Sequence, residues 1–302
     1  MSSAAAAFPR ESDPRGRFIR QDSSFRGWVA ERPEPGSHHL YVSLACPWAS
    51  RIVLARRCKG LEDVLPMTVL DPLRDDAGWR FTTEEPDPVN GFGYLSEVYR
   101  ATDPAYEMRV TVPVLWDRAR GQIVNNESAD LLRMLNEWSR QGPDLYPAAY
   151  RDEIDSVNDR VYRTVNNGVY RAGFASRQDA YEEAFAELFA SLDWLEQRLG
   201  DHRYLVGPHL TEADIRLFVT LVRFDAVYVG HFKCNQRRIA DYPALSGYLR
   251  DLYGHAGVAE TVNFDHIKRH YYMTHPSINP TRIVPVGPEL LLDAPHGREK
   301  LG

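Results

Sequence analysis

The stretch Leu40-Tyr41-Val42-Ser43-Leu44-Ala45-Cys46-Pro47-Trp48-Ala49 changes periodicity at its cysteine. Apolar residues recur every second position over 40–44, which predicts a strand. Pro47 suits the first turn of a helix, and 49–58, with Ile52, Val53 and Ala55, predicts the helix itself. A strand passing into a helix at Cys46 puts the sulfur at the N-cap, facing unpaired N–H groups and the positive end of the helix dipole. A thiolate is stabilised there and is a competent nucleophile near neutral pH. The plain alternative is a small buried hydrophobe, and the strand–Cys-Pro–helix context favours the nucleophile.

Ala49 stands where a Cys-x-x-Cys pair would carry its second thiol. Cys58 lies about 18 Å further along the helix at 1.5 Å per residue, too far to close a disulfide with Cys46. A mixed disulfide on Cys46 therefore needs an external thiol, and in a reducing cell that points to glutathione.

Working outward, short strands are expected at 65–69, 111–115 and 122–124, and a helix at 128–138 with Leu131, Leu132, Leu135 and Trp138 on one side. The order is strand, helix, strand, a long insert (71–110), strand, strand, helix. The insert carries Trp79, Phe81, Phe92, Tyr94, Tyr99 and Tyr106, too many aromatics for a solvated linker. After Gly142-Pro143 the pattern is helical throughout. Ala180, Tyr181, Ala184, Phe185, Leu188, Phe189, Leu192, Leu195 and Leu199 recur at three- and four-residue steps and form a broad apolar face. Thr211-Glu212-Ala213-Asp214 resembles a capping box with Asp in place of Glu, opening a helix to Arg223, and a further helix is expected over 243–253. The expected division is an arm at 1–36, an α/β domain at 37–142, an all-helical domain at 143–275 and a proline-rich wrapping tail at 276–302.

Composition bounds the function. Of 302 residues, 36 are Lys or Arg and 42 Asp or Glu, a net charge of −6 that argues against nucleic-acid binding. An apolar share of 43% with 11% aromatics is enough for packed cores. No apolar run approaches the ~18 residues of a membrane span, and the short run at 4–8 is no secretory leader. Three cysteines, Cys46, Cys58 and Cys234, make no disulfide scaffold. The expectation is a cytoplasmic protein in a reducing compartment.

Two further motifs can meet a ligand. Val112-Pro113 opens an expected strand with a residue that lacks an N–H; either the bond is cis and leaves the Val112 backbone to a ligand, or the strand is an edge with trans proline. Asn125-Asn126-Glu127-Ser128 precedes a helix whose start suits a carboxylate, while Glu127 suits an ammonium; simple capping is the other reading.

Together these residues resemble the cytosolic glutathione transferases. More narrowly, Cys46-Pro47-Trp48-Ala49-Ser50-Arg51, Arg109-Val110-Thr111-Val112-Pro113-Val114-Leu115-Trp116-Asp117, Val165-Asn166-Asn167-Gly168-Val169-Tyr170 and His231-Phe232-Lys233-Cys234 resemble the glutathionyl-hydroquinone reductases, the Xi class. So do 210–216, 222–228 and 260–266. Ser50 departs from the histidine common there. The resemblance implies a thioredoxin-like N-terminal domain, a helical C-terminal domain and a homodimer. It implies reduction of S-glutathionyl-hydroquinones to hydroquinones, with glutathione as co-substrate and no tightly bound cofactor. It makes Cys46 the nucleophile, with Trp79 packing on glutathione and Arg109, Val110, Thr111, Val112, Glu127 and Ser128 holding its backbone and γ-glutamyl group. Tyr170 becomes the proton donor or acceptor, and Tyr228 and Tyr271 lie near the sulfur.

A thioltransferase or dehydroascorbate reductase would share Cys46 but not need the tyrosines; a non-catalytic carrier of aromatic conjugates would need neither. His266 and His270 have an i, i+4 zinc spacing, but no third ligand accompanies them, so no metal is expected. Cys234 reads as structural.

Overall fold

The structure, a computed structural model, describes residues 11–301. The first ten residues of the expected arm, including the run at 4–8, lie outside the described residues. The α/β-then-helical order expected from the sequence is observed, as two compact units.

The first unit comprises Gln21–Gly142 and Thr261–Thr274. Its sheet holds β1 (His38–Val42), β2 (Met67–Val69), β3 (Val114–Asp117) and β4 (Gln122–Asn125) in the order β2-β1-β3-β4. β1 and β2 are parallel, joined through helix α1 (Pro47–Cys58), as a parallel pair requires; the other pairs are antiparallel. β1 ends two residues earlier than its alternation suggests because Ser43 turns the chain, its carbonyl accepting from the Cys46 amide at 3.1 Å. β3 starts at Val114 rather than Thr111, since Pro113 offers no N–H to the ladder. The Val112–Pro113 peptide is cis.

The insert is ordered by its polar residues. Asp87 accepts from the Tyr41 hydroxyl at 2.8 Å and from the amides of Val89 and Asn90, and Arg80 pairs with Asp71 at 2.6 Å. It also forms helix α2 (Leu95–Thr102), which buries Leu95, Val98 and Tyr99. Helix α3 (Ser128–Trp138) buries Leu131, Leu132, Leu135 and Trp138, the face its spacing predicts. Residues 21–29 run along β4: the Gly27 amide donates to the Val124 carbonyl at 2.8 Å and the Trp138 indole N–H to the Val29 carbonyl at 2.8 Å. A Cβ on Gly27 would sit 2.7 Å from the Val124 oxygen, so only glycine permits this approach.

The second unit comprises Glu11–Arg20, 143–260 and 275–301. Its helices are α4 (Arg151–Val161), α5 (Gly168–Gly173), α6 (Gln178–Asp201), α7 (Glu212–Arg223) and α8 (Pro243–Tyr253). α6 buries Ala180, Ala184, Leu188, Leu192, Leu195 and Leu199, and α7 is buried on every side, as a central helix must be. The Thr211–Asp214 box closes as predicted, and Asp214 also accepts from the Leu205 amide and the Tyr248 hydroxyl, each at 2.8 Å. α4 and α7 each end in a π-turn, Tyr162–Asn166 and Phe224–Tyr228. The tail is anchored by buried Arg298, which donates to the carbonyls of Leu199, His202 and Arg203.

The compact units are not continuous along the chain. The arm divides between residues 20 and 21, and helix α9 (Phe264–Thr274) is counted with the first unit, where Ile267, His270 and Tyr271 are buried. His270 Nδ1 is 2.6 Å from the Pro72 carbonyl, a long-range pairing that no local pattern announces. No helix among the described residues is long and apolar enough to cross a membrane.

Candidate active site

Cys46 occupies the N-cap of α1 in extended backbone conformation, with Pro47 at the first helical position. Its carbonyl accepts the Ser50 amide at 2.9 Å, while its side chain caps no amide. The partly exposed thiol donates instead to the Val112 carbonyl at 3.7 Å. The strand end and the loop before β3 thus bring Cys46 and Val112 together. The other two thiols are unlike it: burial pushes Cys58 up to about 11, and Cys234, fully buried, is pushed far higher. Both stay protonated at neutral pH.

The segment from Arg109 to Val112 is held from several directions. The Tyr99 hydroxyl donates to the Thr111 carbonyl at 2.8 Å and accepts from the Thr111 amide at 3.2 Å and Asn126 Nδ2 at 3.0 Å. Burial raises this phenol to about 12, so it remains a neutral donor. The Arg109 amide donates to Gln21 Oε1 at 3.4 Å, and Val110 lies between, half-buried.

Glu127 is the N-cap of α3 and accepts the Ala129 amide at 2.9 Å. Its other oxygen accepts from the Ser23 hydroxyl at 2.9 Å. Ser128 is buried and accepts from Arg51 Nη1 at 3.3 Å, which ties α1 to the start of α3. Glu127 is thus a capping residue of α3, the plainer of the two readings.

Trp79 is 4% exposed. The His270 imidazole stacks on it at 5.0 Å and 13°, and the Arg74 guanidinium lies 5.3 Å from its ring. Tyr271 follows His270 on α9, edge-on to it at 5.4 Å.

In the helical unit, α5 and the second π-turn bring Tyr170 and Tyr228 within 6.3 Å, ring to ring. Phe232 packs on both, at 5.4 Å and 5.5 Å. This crowding requires Gly173, where a Cβ would come within 2.2 Å of the Phe232 ring. Beside it, His231 Nε2 and His275 Nδ1 lie 3.1 Å apart, and burial pushes His231 down to about 4.

Sequence reasoning missed Ser23, Tyr99, Arg20 and His270. The aromatic density of the insert was the available signal for Tyr99, and His270 was marked only by its spacing from His266; nothing local marked Ser23 or Arg20. Among the described residues no three His, Cys, Asp or Glu side chains gather as a metal site.

A thioredoxin-like sheet with a cysteine at the first helix, followed by a helical unit, is the architecture of glutathione-dependent transferases. Residues 45–138 match the family described as glutathione S-transferase, N-terminal domain, and residues 178–251 match the corresponding C-terminal domain. The chain is 53% identical to glutathionyl-hydroquinone reductase PcpF of Sphingobium chlorophenolicum over 282 residues, 90% of each chain. The glutathione-bound structure of YqjG from Escherichia coli K-12 superposes with a TM-score of 0.86 at 52% identity, covering 89% of this chain and 90% of that one. The Xi glutathione transferase from Phanerochaete chrysosporium superposes with a TM-score of 0.90 at 47% identity, covering 96% and 99%. The chain belongs to the glutathione S-transferase family, and within it to the Xi-class glutathionyl-hydroquinone reductases.

Proposed function

We propose that the protein reduces S-glutathionyl-hydroquinones to hydroquinones, with glutathione as co-substrate and through a Cys46–glutathione mixed disulfide. The observation that carries this reading is Cys46 at the N-cap of α1, its side chain uncommitted to the helix and turned to Val112. The Cys46 thiolate attacks the glutathione sulfur of the conjugate; the sulfur–carbon bond breaks, the sulfur–sulfur bond forms and the aromatic carbon takes a proton. Tyr170 is the group that delivers it. A second glutathione, as thiolate, attacks the mixed disulfide, releasing oxidised glutathione and regenerating the Cys46 thiolate. Tyr228 and Tyr271 support the chemistry as phenolic donors.

Glutathione is held by backbone and charge. The Val112 backbone amide takes the cysteinyl carbonyl of the tripeptide. Arg109, Val110 and Thr111 line the same strand of backbone, and Trp79 packs on the tripeptide. Glu127 takes the γ-glutamyl ammonium, and Ser128 with the α3 start takes its carboxylate. The protein works as a homodimer in the cytoplasm, where glutathione is abundant and reduced.

Product analysis tests the reading. Purified protein with glutathione and a glutathionyl-hydroquinone is expected to yield hydroquinone and oxidised glutathione in equal amounts. Consumption of the conjugate without oxidised glutathione would refute the mixed-disulfide route.

A further inference from the structure

Tyr170 is met by a cation from outside the helical bundle. Arg20, from the described part of the N-terminal arm, places its guanidinium carbon 5.1 Å from the centroid of the Tyr170 ring. Its Nε donates to Asn167 Oδ1 at 2.7 Å, at the junction between the first π-turn and α5, three residues before the tyrosine. Phe18, two residues earlier and 7% exposed, stacks on Tyr170 at 6.2 Å and on Phe174 at 5.6 Å, and Arg20 also lies 5.7 Å from the Phe18 ring. The arm therefore completes the wall around Tyr170. It is itself tied down: Arg17 pairs with Glu183 at 2.8 Å, and the Ser176 amide donates to the Gly16 carbonyl at 3.0 Å.

We propose that Arg20 is a positioning residue for Tyr170, holding its ring through Asn167 and the cation–ring contact and favouring release of its proton to substrate. The inference rests on Tyr170 being the proton donor. A cation over an aromatic face is attracted by the ring's electron density, and the attraction grows when the phenol becomes a phenolate, so the charged form gains. The surroundings sharpen the effect. Phe18, Phe174 and Phe232 line the ring and do not titrate; Tyr228 adds a second phenol. Arg171, next in sequence, is engaged with Glu187 and Glu183 of α6, and His231 and His275 stand one ring further out, against Phe232 and Phe174. An apolar setting screens a nearby charge less than water does.

The test uses the full chain labelled with ring-13Cζ tyrosine, with the Tyr170 signal assigned by its loss in Tyr170→Phe. In Arg20→Met the Tyr170 titration midpoint is expected to rise by about one pH unit, while Arg20→Lys, which keeps the charge, restores most of it. Steady-state kcat on a glutathionyl-hydroquinone is expected to fall about tenfold in Arg20→Met, with reduction of a simple glutathione mixed disulfide unchanged. An unmoved midpoint in Arg20→Met overturns the proposal, whatever happens to the rate. Full activity of Tyr170→Phe on the conjugate instead refutes the proton-donor role, and with it any catalytic purpose for Arg20; the titration then still reports whether the cation acts on the phenol.

Discussion

The indole of Trp79 and the imidazole of His270 lie face to face, 5.0 Å apart and 13° from parallel, across a contact between the insert and α9. The Pro72 carbonyl can only accept, so His270 Nδ1 carries the proton in their 2.6 Å bond, which fixes the tautomer and the ring plane. Trp79 thus owes its orientation to a helix far along the chain. His270→Ala removes both the stack and the hydrogen bond and is expected to cost about 2–3 kcal/mol in urea unfolding. His270→Phe keeps a ring and is expected to lose about half as much. Equal losses would mean that stacking contributes nothing.

The three thiols are expected to separate chemically. With Cys58 raised to about 11 by burial, on the order of one molecule in 10³–10⁴ is thiolate there near neutral pH, and Cys234 is more inert still. Iodoacetamide at pH 7.5 is expected to modify Cys46 first, as read by peptide mass mapping. Cys46→Ala is expected to lose at least 10³-fold in conjugate reduction, while Cys58→Ala and Cys234→Ala retain activity. An active Cys46→Ala protein would end the mechanism.

Two buried histidines set an acid limit on stability. Burial lowers His39 and His231 to about 4, from an ordinary value near 6.5. Below pH 6.5 the unfolded chain gains protons that the folded chain refuses until about pH 4. Stability present above pH 6.5 is therefore lost as the pH falls toward 4, by up to about 3 kcal/mol per histidine. His39 also holds Thr68 Oγ1 at 2.8 Å. The unfolding free energy of His39→Gln, followed in urea from pH 7.5 to 4, is expected to fall less steeply than that of the parent. Parallel curves would remove His39 from the account.

Asp214 is a heavily used carboxylate of the helical unit. Fully buried, it accepts from the amides of Leu205 and Thr211, the Thr211 hydroxyl and the Tyr248 hydroxyl. Asp214→Ala strands these donors and is expected to destabilise the protein by about 3–5 kcal/mol. Thr211→Ala, which removes one donor and leaves the rest, is expected to cost about 1 kcal/mol. Differential scanning calorimetry of the pair distinguishes a buried network from a simple cap.

Much of the fold was legible because its signals are local. Period two gave way to a proline-started helix at Cys46-Pro47; α3 and α6 displayed their buried faces at three- and four-residue steps; Thr211 and Asp214 announced their own cap. Strand ends were less legible. β1 stops at Val42 because one hydrogen bond, from the Cys46 amide to the Ser43 carbonyl, turns the chain, and β3 waits for Val114 because Pro113 has no N–H to give.

By itself the sequence determined the four strands, helices α1, α3, α6, α7 and α8, their order and the cysteine at the helix start, since backbone preference and apolar spacing act over a few residues. Only the tertiary structure decided that Ser23 reaches Glu127, that Arg20 lies over Tyr170, and that His270 returns to Trp79 and to a carbonyl 198 residues away. Such pairs form because burial brings distant segments together, and no pattern confined to either segment records its partner.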